Sequence, residues 1–407
     1  MMKTSKYNRN KTSKAVGLYI HIPFCDKKCN YCDFLSFATT EGSSYREYVS
    51  TLIKEIHYYG KVYNNEYYVD TVFIGGGTPS LIPEAFVKEI MAAVSAAFHI
   101  AKDAEISIEA NPGTLTKNKL NTYLRAGINR LSMGVQSLDN TLLKTLGRIH
   151  TAEEAIENYL MARDCGFDNI NLDLMFALPG QTQEIWHNTL ENALNLSPSH
   201  ISFYSLQYEE GTPFFEGLKK GILEETSDGL YIEMYKTALA MLKSKGYSHY
   251  EISNAAQPGY FCKHNLKYWS LDNYLGFGLG AHSYLDGQRF SNIEELEIYI
   301  SALGVRAESE IESALGLNPE LAGPAVIWHH TNTKQDNISE YIITGLRKIN
   351  GIKLQDFEER FGQSILNLYS KEVKDYLDQE FLEVVDGQLR FTLKGIFISN
   401  SILADFV

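Results

Sequence analysis

Short apolar runs alternate along the chain with longer amphipathic stretches. Val16–Ile22, Val69–Ile74, Glu105–Ala110, Arg130–Val135, Asn169–Phe176 and His200–Gln207 have the length and the branched or aromatic content of strands. Between them Ser44–Tyr63, Pro83–Phe98, Lys117–Ala126, Ala152–Cys165 and Thr182–Leu196 carry apolar residues at helical spacing, the first with Ser43 or Ser44 as its N-cap. Strict strand–helix alternation predicts parallel strands joined by right-handed crossovers. A barrel or partial barrel is the natural closure, with its site at the C-terminal ends of the strands; a flat doubly wound sheet is the alternative.

Beyond residue 210 the pattern loosens. Ser227–Lys245 reads as a helix, Tyr247–Ser253 as a strand and Gly276–Ser283 as a glycine-rich loop. Glu297–Pro324 has helical composition interrupted by Gly304, Gly316 and Gly323, and Trp328–Asn337 reads as a polar, turn-rich linker or insertion. Glu340–Lys348, Leu354–Phe361 and Ile365–Gln379 then read as helices. Leu382–Val385 and Leu389–Thr392 flank Asp386-Gly387, a two-residue hairpin signal. The expected organisation is a disordered leader over 1–15, a barrel and its extension over 16–300, an insertion over 301–337 and a small α+β, winged-helix-like domain over 338–407.

Composition narrows the classes of function. An apolar fraction of 44% over 407 residues supports a sizeable core. A formal charge of −13 argues against broad nucleic-acid binding, which needs a basic face. No apolar run reaches the roughly 20 residues of a membrane span, and Met1–Lys14 lacks the apolar centre of a secretory signal. A reducing, cytoplasmic compartment fits the cysteine usage.

Three of the five cysteines, Cys25, Cys29 and Cys32, fall in Y-I-H-I-P-F-C-D-K-K-C-N-Y-C-D-F, directly after the first strand. Three thiolates leave one iron of a four-iron cluster without a protein ligand, and an open metal position is where a cofactor or substrate binds. A zinc site would need a fourth ligand, and only His21 lies close in sequence. A disulfide is disfavoured by the odd clustering, and a buried structural cysteine accounts for single residues rather than a triplet. Other polar groups sit where strands meet the same face. Gly75-Gly76-Gly77-Thr78-Pro79 follows the second strand and carries no P-loop lysine. Glu109, Gln136 and Asp173 end the third, fourth and fifth strands, and Arg148 follows Gln136 by twelve residues. Each read alone is a turn glycine or a surface charge; together they describe one polar rim.

The C-x3-C-x2-C spacing resembles that of the radical S-adenosylmethionine (SAM) superfamily. That resemblance implies a 4Fe-4S cluster on Cys25, Cys29 and Cys32, an open six-stranded barrel, and SAM chelated to the open iron and cleaved by one electron to methionine and a 5′-deoxyadenosyl radical. Y-I-H-I-P-F-C, G-G-G-T-P, I-E-A-N-P, G-V-Q-S and L-D-L-M-F-A-L-P-G-Q-T occur in the order found in the family of oxygen-independent coproporphyrinogen III oxidases and their relatives, the heme chaperones of the HemW type. The similarity covers about residues 16–290 and the last sixty. It implies that Tyr19, Tyr31, Gly76, Gly77, Thr78, Glu109, Gln136, Arg148 and Asp173 line SAM, with Gln136, Arg148 and Asp173 at positions that face a second SAM in the oxidases.

Two departures separate the chain from the oxidases. Phe34 stands where they carry a further cysteine, and only 24 residues precede Cys25. Both match the heme chaperones. So does His264-Asn265-Leu266-Lys267-Tyr268-Trp269, which matches their H-N-x-x-Y-W motif and makes His264 a candidate heme ligand. The alternative is a His–Asn pair bonded within the fold, with Tyr268 and Trp269 in the core. If the segment is a strand, Cys262 and His264 share a face. His282, in G-L-G-A-H-S, is a second candidate. The expected partners are heme or a related porphyrin and heme-accepting proteins, met in transient contacts that include membrane-bound ones, with no nucleic acid and a monomer or homodimer as the working unit. No side chain is singled out as a catalytic acid or base. The competing reading is an enzyme that decarboxylates coproporphyrinogen III to protoporphyrinogen IX; a winged-helix regulator is disfavoured by the acidic charge.

Overall fold

The computed structural model describes residues 13–38, 42–305 and 323–407. Residues 1–12 of the expected leader and 306–322 of the expected insertion lie outside them.

Six parallel strands, β1 (Lys14–Ile22), β2 (Tyr67–Gly76), β3 (Ile100–Ala110), β4 (Arg130–Gln136), β5 (Asn169–Phe176) and β6 (His200–Ser205), lie side by side in sequence order. The helices between them are α1 (Gly42–Tyr63), α2 (Glu84–Ala97), α3 (Lys117–Arg125), α4 (Asn140–Leu146), α5 (Ala152–Cys165) and α6 (Gln183–Asn195), and α7 (Pro213–Lys219) and α8 (Asp228–Ser244) follow β6. The two outer strands of the run do not pair with each other, so the barrel is open. It continues past β6 into an antiparallel pair, β7 (Ser248–Glu251) and β8 (Asn254–Ala256). Past β1 it continues into β9 (Tyr274–Phe277), β10 (His282–Leu285), β11 (Gln288–Asn292) and β12 (Val326–Thr331).

Alternation along β1 explains why the strand carries both core and chemistry. Val16, Leu18, Ile20 and Ile22 are fully buried in one cluster with Val49, Leu52 and Ile56 of α1. The intervening Gly17, Tyr19 and His21 face the barrel interior, against Thr71, Phe73 and Gly76 of β2. The interior is polar along other strands too: Glu105, Ser107 and Glu109 on β3, and Asn171 and Asp173 on β5.

Four expectations change. Trp328–Asn337 is no linker: β12 pairs with β11, and a helix over Lys334–Gly345 opens on a capping box in which Thr333 and Asp336 satisfy each other's backbone amides. The T-x-x-D signal for that start was present in the sequence. Gly276–Ser283 is a tight connection between β9 and β10 rather than a loop alone. Ile365–Gln379 is two helices, Ile365–Leu368 and Ser370–Asp378, broken at Tyr369, whose ring meets Phe406 edge-on at 5.1 Å. The fourth is the segment after Cys262, a seven-residue helix α9 (Lys263–Trp269) instead of a strand. Glu105 of β3 accepts hydrogen bonds from the backbone amides of Lys263 and His264 at 3.0 and 3.1 Å and so caps its first turn. On a helix Cys262 and His264 point apart: the thiol turns to Glu105, the imidazole to Thr71.

The C-terminal residues form their own core around Ile342, Phe357, Ile365, Leu389 and Ile402. Its hairpin pairs Leu382–Val385 with Gln388–Phe391, and Asp386 and Gly387 both take the positive φ that a two-residue turn of this twist demands.

Candidate functional site at the mouth of the barrel

Phe24 and Cys25 leave β1 and pair with Phe37 and Ala38, closing a loop that carries the three cysteines across the C-terminal ends of the strands. Backbone contacts seat this loop. The amides of Gly77 and Thr78 donate to the carbonyls of Ile22 and Phe24, both at 2.8 Å. Asn30 donates to Leu146 and Thr145 at the end of α4 and accepts from Phe214. The glycines after β2 are required by this seating. A Cβ on Gly76, which holds φ +115°, would lie 2.6 Å from the His21 ring, and one on Gly77 would lie 2.8 Å from the Phe24 carbonyl.

A cavity of about 370 Å³ opens above the loop. Cys25, Cys29, Cys32, Tyr31, Gly76, Gly77, Thr78, Glu109, Gln136, Arg148 and Asp173 all line it. Among the proposed SAM residues Tyr19 does not: its ring stacks on Phe73 at 6.4 Å and its hydroxyl meets His21 Nδ1 at 3.0 Å, below the cavity. His21 is fully engaged, since its Nε2 meets the Leu35 carbonyl at 2.8 Å. The histidine that could have completed a zinc site is therefore spent on holding the loop. Among the described residues no three His, Cys, Asp or Glu side chains converge on a single ion. Three thiols lining one cavity suit a polynuclear cluster, in which each takes a different iron.

Two donors are aimed at those sulfurs. Thr78 Oγ1 donates to Cys25 Sγ and Arg148 Nη1 to Cys29 Sγ, each at 3.6 Å. Asn111 joins them: its Nδ2 donates to Thr78 Oγ1 at 3.0 Å while its Oδ1 accepts from Arg148 Nη2 at 2.7 Å. Arg148 also donates to the Gly134 carbonyl at 2.6 Å. It does not stand at a strand end. It follows Gly147, which ends α4 in the left-handed conformation and swings the guanidinium inward. Gln136 ends β4 with φ 66°, a strained position for a side-chain-bearing residue, and its Oε1 accepts from the Tyr204 hydroxyl at 2.8 Å.

Two carboxyls share the cavity. Burial, and then the charge of Asp173, push Glu109 up to about 8, against the pull of the Gly76 amide and Arg130. Burial pushes Asp173 up as well, opposed by hydrogen bonds from Ser202 and Asn171. Near neutrality Glu109 is thus a protonated acid with a hydrogen to donate. The residues the sequence reading missed here, Asn111, Ser132, Met175 and Tyr204, come from four different strands or their ends. Asn111 and Met175 sat inside motifs already singled out, I-E-A-N-P and L-D-L-M-F-A-L-P-G-Q-T.

His264 lies at the opposite end, away from this cavity. It is 1% exposed, its Nδ1 meets Thr71 Oγ1 at 2.8 Å, its Nε2 meets the Tyr268 hydroxyl at 2.9 Å, and its ring stacks on Phe73 at 5.3 Å. Burial, then the charges of Lys267 and Arg130, lower it to about 3, so the imidazole is neutral. Both nitrogens are committed within the fold. His282 is exposed at the start of β10 and joins neither group.

Residues 19–193 match the model of the radical SAM superfamily and residues 332–398 that of the HemN C-terminal domain. The heme chaperone HemW of Bacillus subtilis is 34% identical over 96% of this chain and 98% of its own length. That of Escherichia coli is 42% identical over 66% of this chain and 69% of its own. A bovine protein described as radical S-adenosyl methionine domain-containing protein 1, mitochondrial, is 33% identical over 96% of this chain and 87% of its length. Among solved structures, the coproporphyrinogen III oxidase HemN of E. coli superposes with a TM-score of 0.81 over 97% of this chain and 90% of its own, at 23% identity, a likeness of fold.

Proposed function

We propose, for a chain that belongs to the radical SAM superfamily and within it to the HemN-like family of the HemW heme chaperones, that it carries a 4Fe-4S cluster with SAM at the barrel mouth and passes heme to acceptor proteins. The observation that carries this reading is similarity to curated heme chaperones over nearly the whole chain, joined to a mouth whose donors fit the cofactors. Cys25, Cys29 and Cys32 would hold three irons. When bound, cluster and SAM together supply one-electron chemistry at a sulfonium centre.

This chain's residues do the rest. Thr78 and Arg148 donate to two of the sulfurs, which offsets thiolate charge and favours the reduced state. Glu109, protonated near neutrality, presents a donor and an acceptor to ribose hydroxyls, while Gln136, Asp173 and Tyr31 line the remaining wall. The loop glycines keep backbone carbonyls within reach of an ammonium group. One SAM or two, a cytoplasmic setting, and a monomer or homodimer belong to this proposal, and no helix among the described residues is long and apolar enough to cross a membrane. His264 as heme ligand requires the imidazole to leave Thr71 and Tyr268, so on this reading heme capture through it would open the barrel floor.

Anaerobic incubation with coproporphyrinogen III, SAM and a reductant tests the reading against its enzymatic rival. The expected result is no protoporphyrinogen together with saturable hemin binding; robust decarboxylation would replace the chaperone reading with the oxidase.

A further inference from the structure

Inward-pointing side chains recur every second residue along a strand, so the polar interior of the barrel is layered. Ser132 of β4, Asn171 of β5 and His200 of β6 stand in register on neighbouring strands, one layer beneath Asp173. Asn171 is 1% exposed and His200 fully buried. Neither lines the mouth, and the chemistry placed there uses neither.

Hydrogen bonds run through this layer in one sense. Asn171 Nδ2 stands between two acceptors, Asp173 Oδ1 at 2.7 Å and Ser132 Oγ at 2.8 Å. Its Oδ1 faces His200 Nδ1 at 2.6 Å and takes a longer bond, 3.2 Å, from the Ser202 hydroxyl. An amide oxygen only accepts, so Nδ1 carries the imidazole hydrogen. Burial, then the charge of Arg130, keeps the ring neutral, which leaves Nε2 bare to accept from the Tyr250 hydroxyl at 2.7 Å. Tyr250, on β7, accepts in turn from the Cys262 amide at 3.2 Å, where α9 begins. Cys262 thus donates to Tyr250, Tyr250 to His200, His200 to Asn171 and Asn171 to Asp173. Of these five only Asp173 reaches the cavity. Asn171 makes the short bond to its carboxyl. Ser132 reaches Oδ2 at 3.5 Å, and Ser202 divides its hydroxyl between Asp173 and Asn171.

We propose that His200 is a positioning residue for SAM at the mouth: its Nδ1 hydrogen fixes the Asn171 amide, and that amide fixes the Asp173 carboxyl. The inference rests on the reading that places SAM at the mouth, and adds a residue beneath it. His200 has no capacity left for a ligand and acts only through Asn171. Without the Nδ1 hydrogen the Asn171 amide is free to turn, and a turned amide sets its oxygen against Asp173. Oδ1 of Asp173 then loses its short donor, and Oδ2 loses the orientation in which it meets a ligand.

Two amide variants divide the imidazole between them. His200→Asn places a donor where Nδ1 stands and gives up Tyr250; His200→Gln reaches Tyr250 with its Oε1 and has no donor at the δ position. Each is tested as the full chain with its cluster reconstituted, by a SAM binding isotherm beside iron content, circular dichroism and denaturation midpoint. His200→Gln is expected to bind SAM about tenfold more weakly and His200→Asn within about twofold of the wild type, the loss being that of a hydrogen bond to a charged group. A merely structural role lowers both midpoints without separating the two affinities. Asn171→Ala gives a second measurement: it weakens SAM as His200→Gln does, and the double variant weakens it no further, because both act through one bond. Equal affinities in the two His200 variants, or losses that add in the double variant, overturn the role of His200 and leave SAM at the mouth. A wild-type protein that holds its iron and binds no SAM overturns the reading of the mouth, and this inference with it.

Discussion

The mouth and the floor of the barrel are built from the same residue types and use them differently. At the mouth, Glu109 and Asp173 face one cavity with no ion pair to either among the described residues, and Arg148 lends only two of its three nitrogens to partners among the described residues. At the floor, His264 has both nitrogens bonded, His200 is held by Asn171 Oδ1 at 2.6 Å and the Tyr250 hydroxyl at 2.7 Å, and Glu105 accepts from a thiol and two amides. A polar group that keeps spare capacity beside a cavity is available to a ligand. One that is spent on its neighbours is architecture, whatever its motif suggests.

Substitution at the mouth has the largest expected effect. Cys29→Ala removes one of three thiolates, and reconstituted protein is expected to lose its iron and its visible charge-transfer absorption while keeping its circular dichroism. At the floor the pattern reverses. His264→Ala deletes a fully buried ring and two hydrogen bonds, which costs about 3 kcal/mol of stability, read as a lower denaturation midpoint with cluster iron unchanged. A variant of undiminished stability whose hemin spectrum nevertheless changes would make His264 a ligand and erase the contrast between the two ends.

How far each end could be read from sequence follows the same division. The cysteine triad is local: three thiols within eight residues meet in almost any loop conformation, so the cluster reading needed no tertiary contact. The six strands were legible because runs such as Val16–Ile22, buried along nearly their whole length on both faces, leave a nearly continuous apolar signature. Asn111 and Tyr204 were not, since what makes them matter is a hydrogen bond to a residue tens of positions away. Arg148 was found, but its route to the site through α4 and Gly147 was not. At the floor it was the element that was misread, a helix after Cys262 in place of a strand, while the alternative of a histidine bonded within the fold was already legible. Seven residues are too few to show a helical period, and the acceptor that starts α9, Glu105, lies more than 150 residues upstream.

A smaller change at the mouth separates positioning from ligation. Asn111 touches no cysteine, yet both donors to the sulfurs lean on its amide. Asn111→Ala is expected to bind iron as the wild type does and to shift the cluster's reduction potential to more negative values, because hydrogen bonds to the sulfurs stabilise the extra electron. The readout is an anaerobic redox titration followed by electron paramagnetic resonance. An unmoved potential would mean that Thr78 and Arg148 hold their places without Asn111. Asn111→Asp, which keeps the acceptor for Arg148 but not the donor to Thr78, should fall between the two.

The smallest effect is expected where a titrating acid faces no cavity at all. Glu55 on α1 is fully buried and, like Glu109, pushed up by burial, here to about 7. Its acceptors are all used: the Gly278 amide at 2.8 Å, the Tyr299 hydroxyl at 2.6 Å and Asn292 Nδ2 at 2.6 Å. An unfolded glutamic acid ionises near its ordinary value of 4.5, so between pH 4.5 and about 7 the folded chain keeps a proton that the unfolded chain releases. The contribution of Glu55 is therefore complete below pH 4.5, falls as pH rises towards 7, and is constant above it. Glu55→Gln removes that slope. The amide oxygen can keep Gly278 and Tyr299, but its nitrogen then faces Asn292 Nδ2, and turning the Asn292 amide to present its unpartnered Oδ1 gives up that residue's bond to the Gly278 carbonyl. The variant should be less stable than the wild type at pH 5, and the gap should narrow by pH 7.5 in paired denaturant titrations. A gap that widens with pH would mean that Glu55 is ionised in the folded protein and that the three donors outweigh its burial.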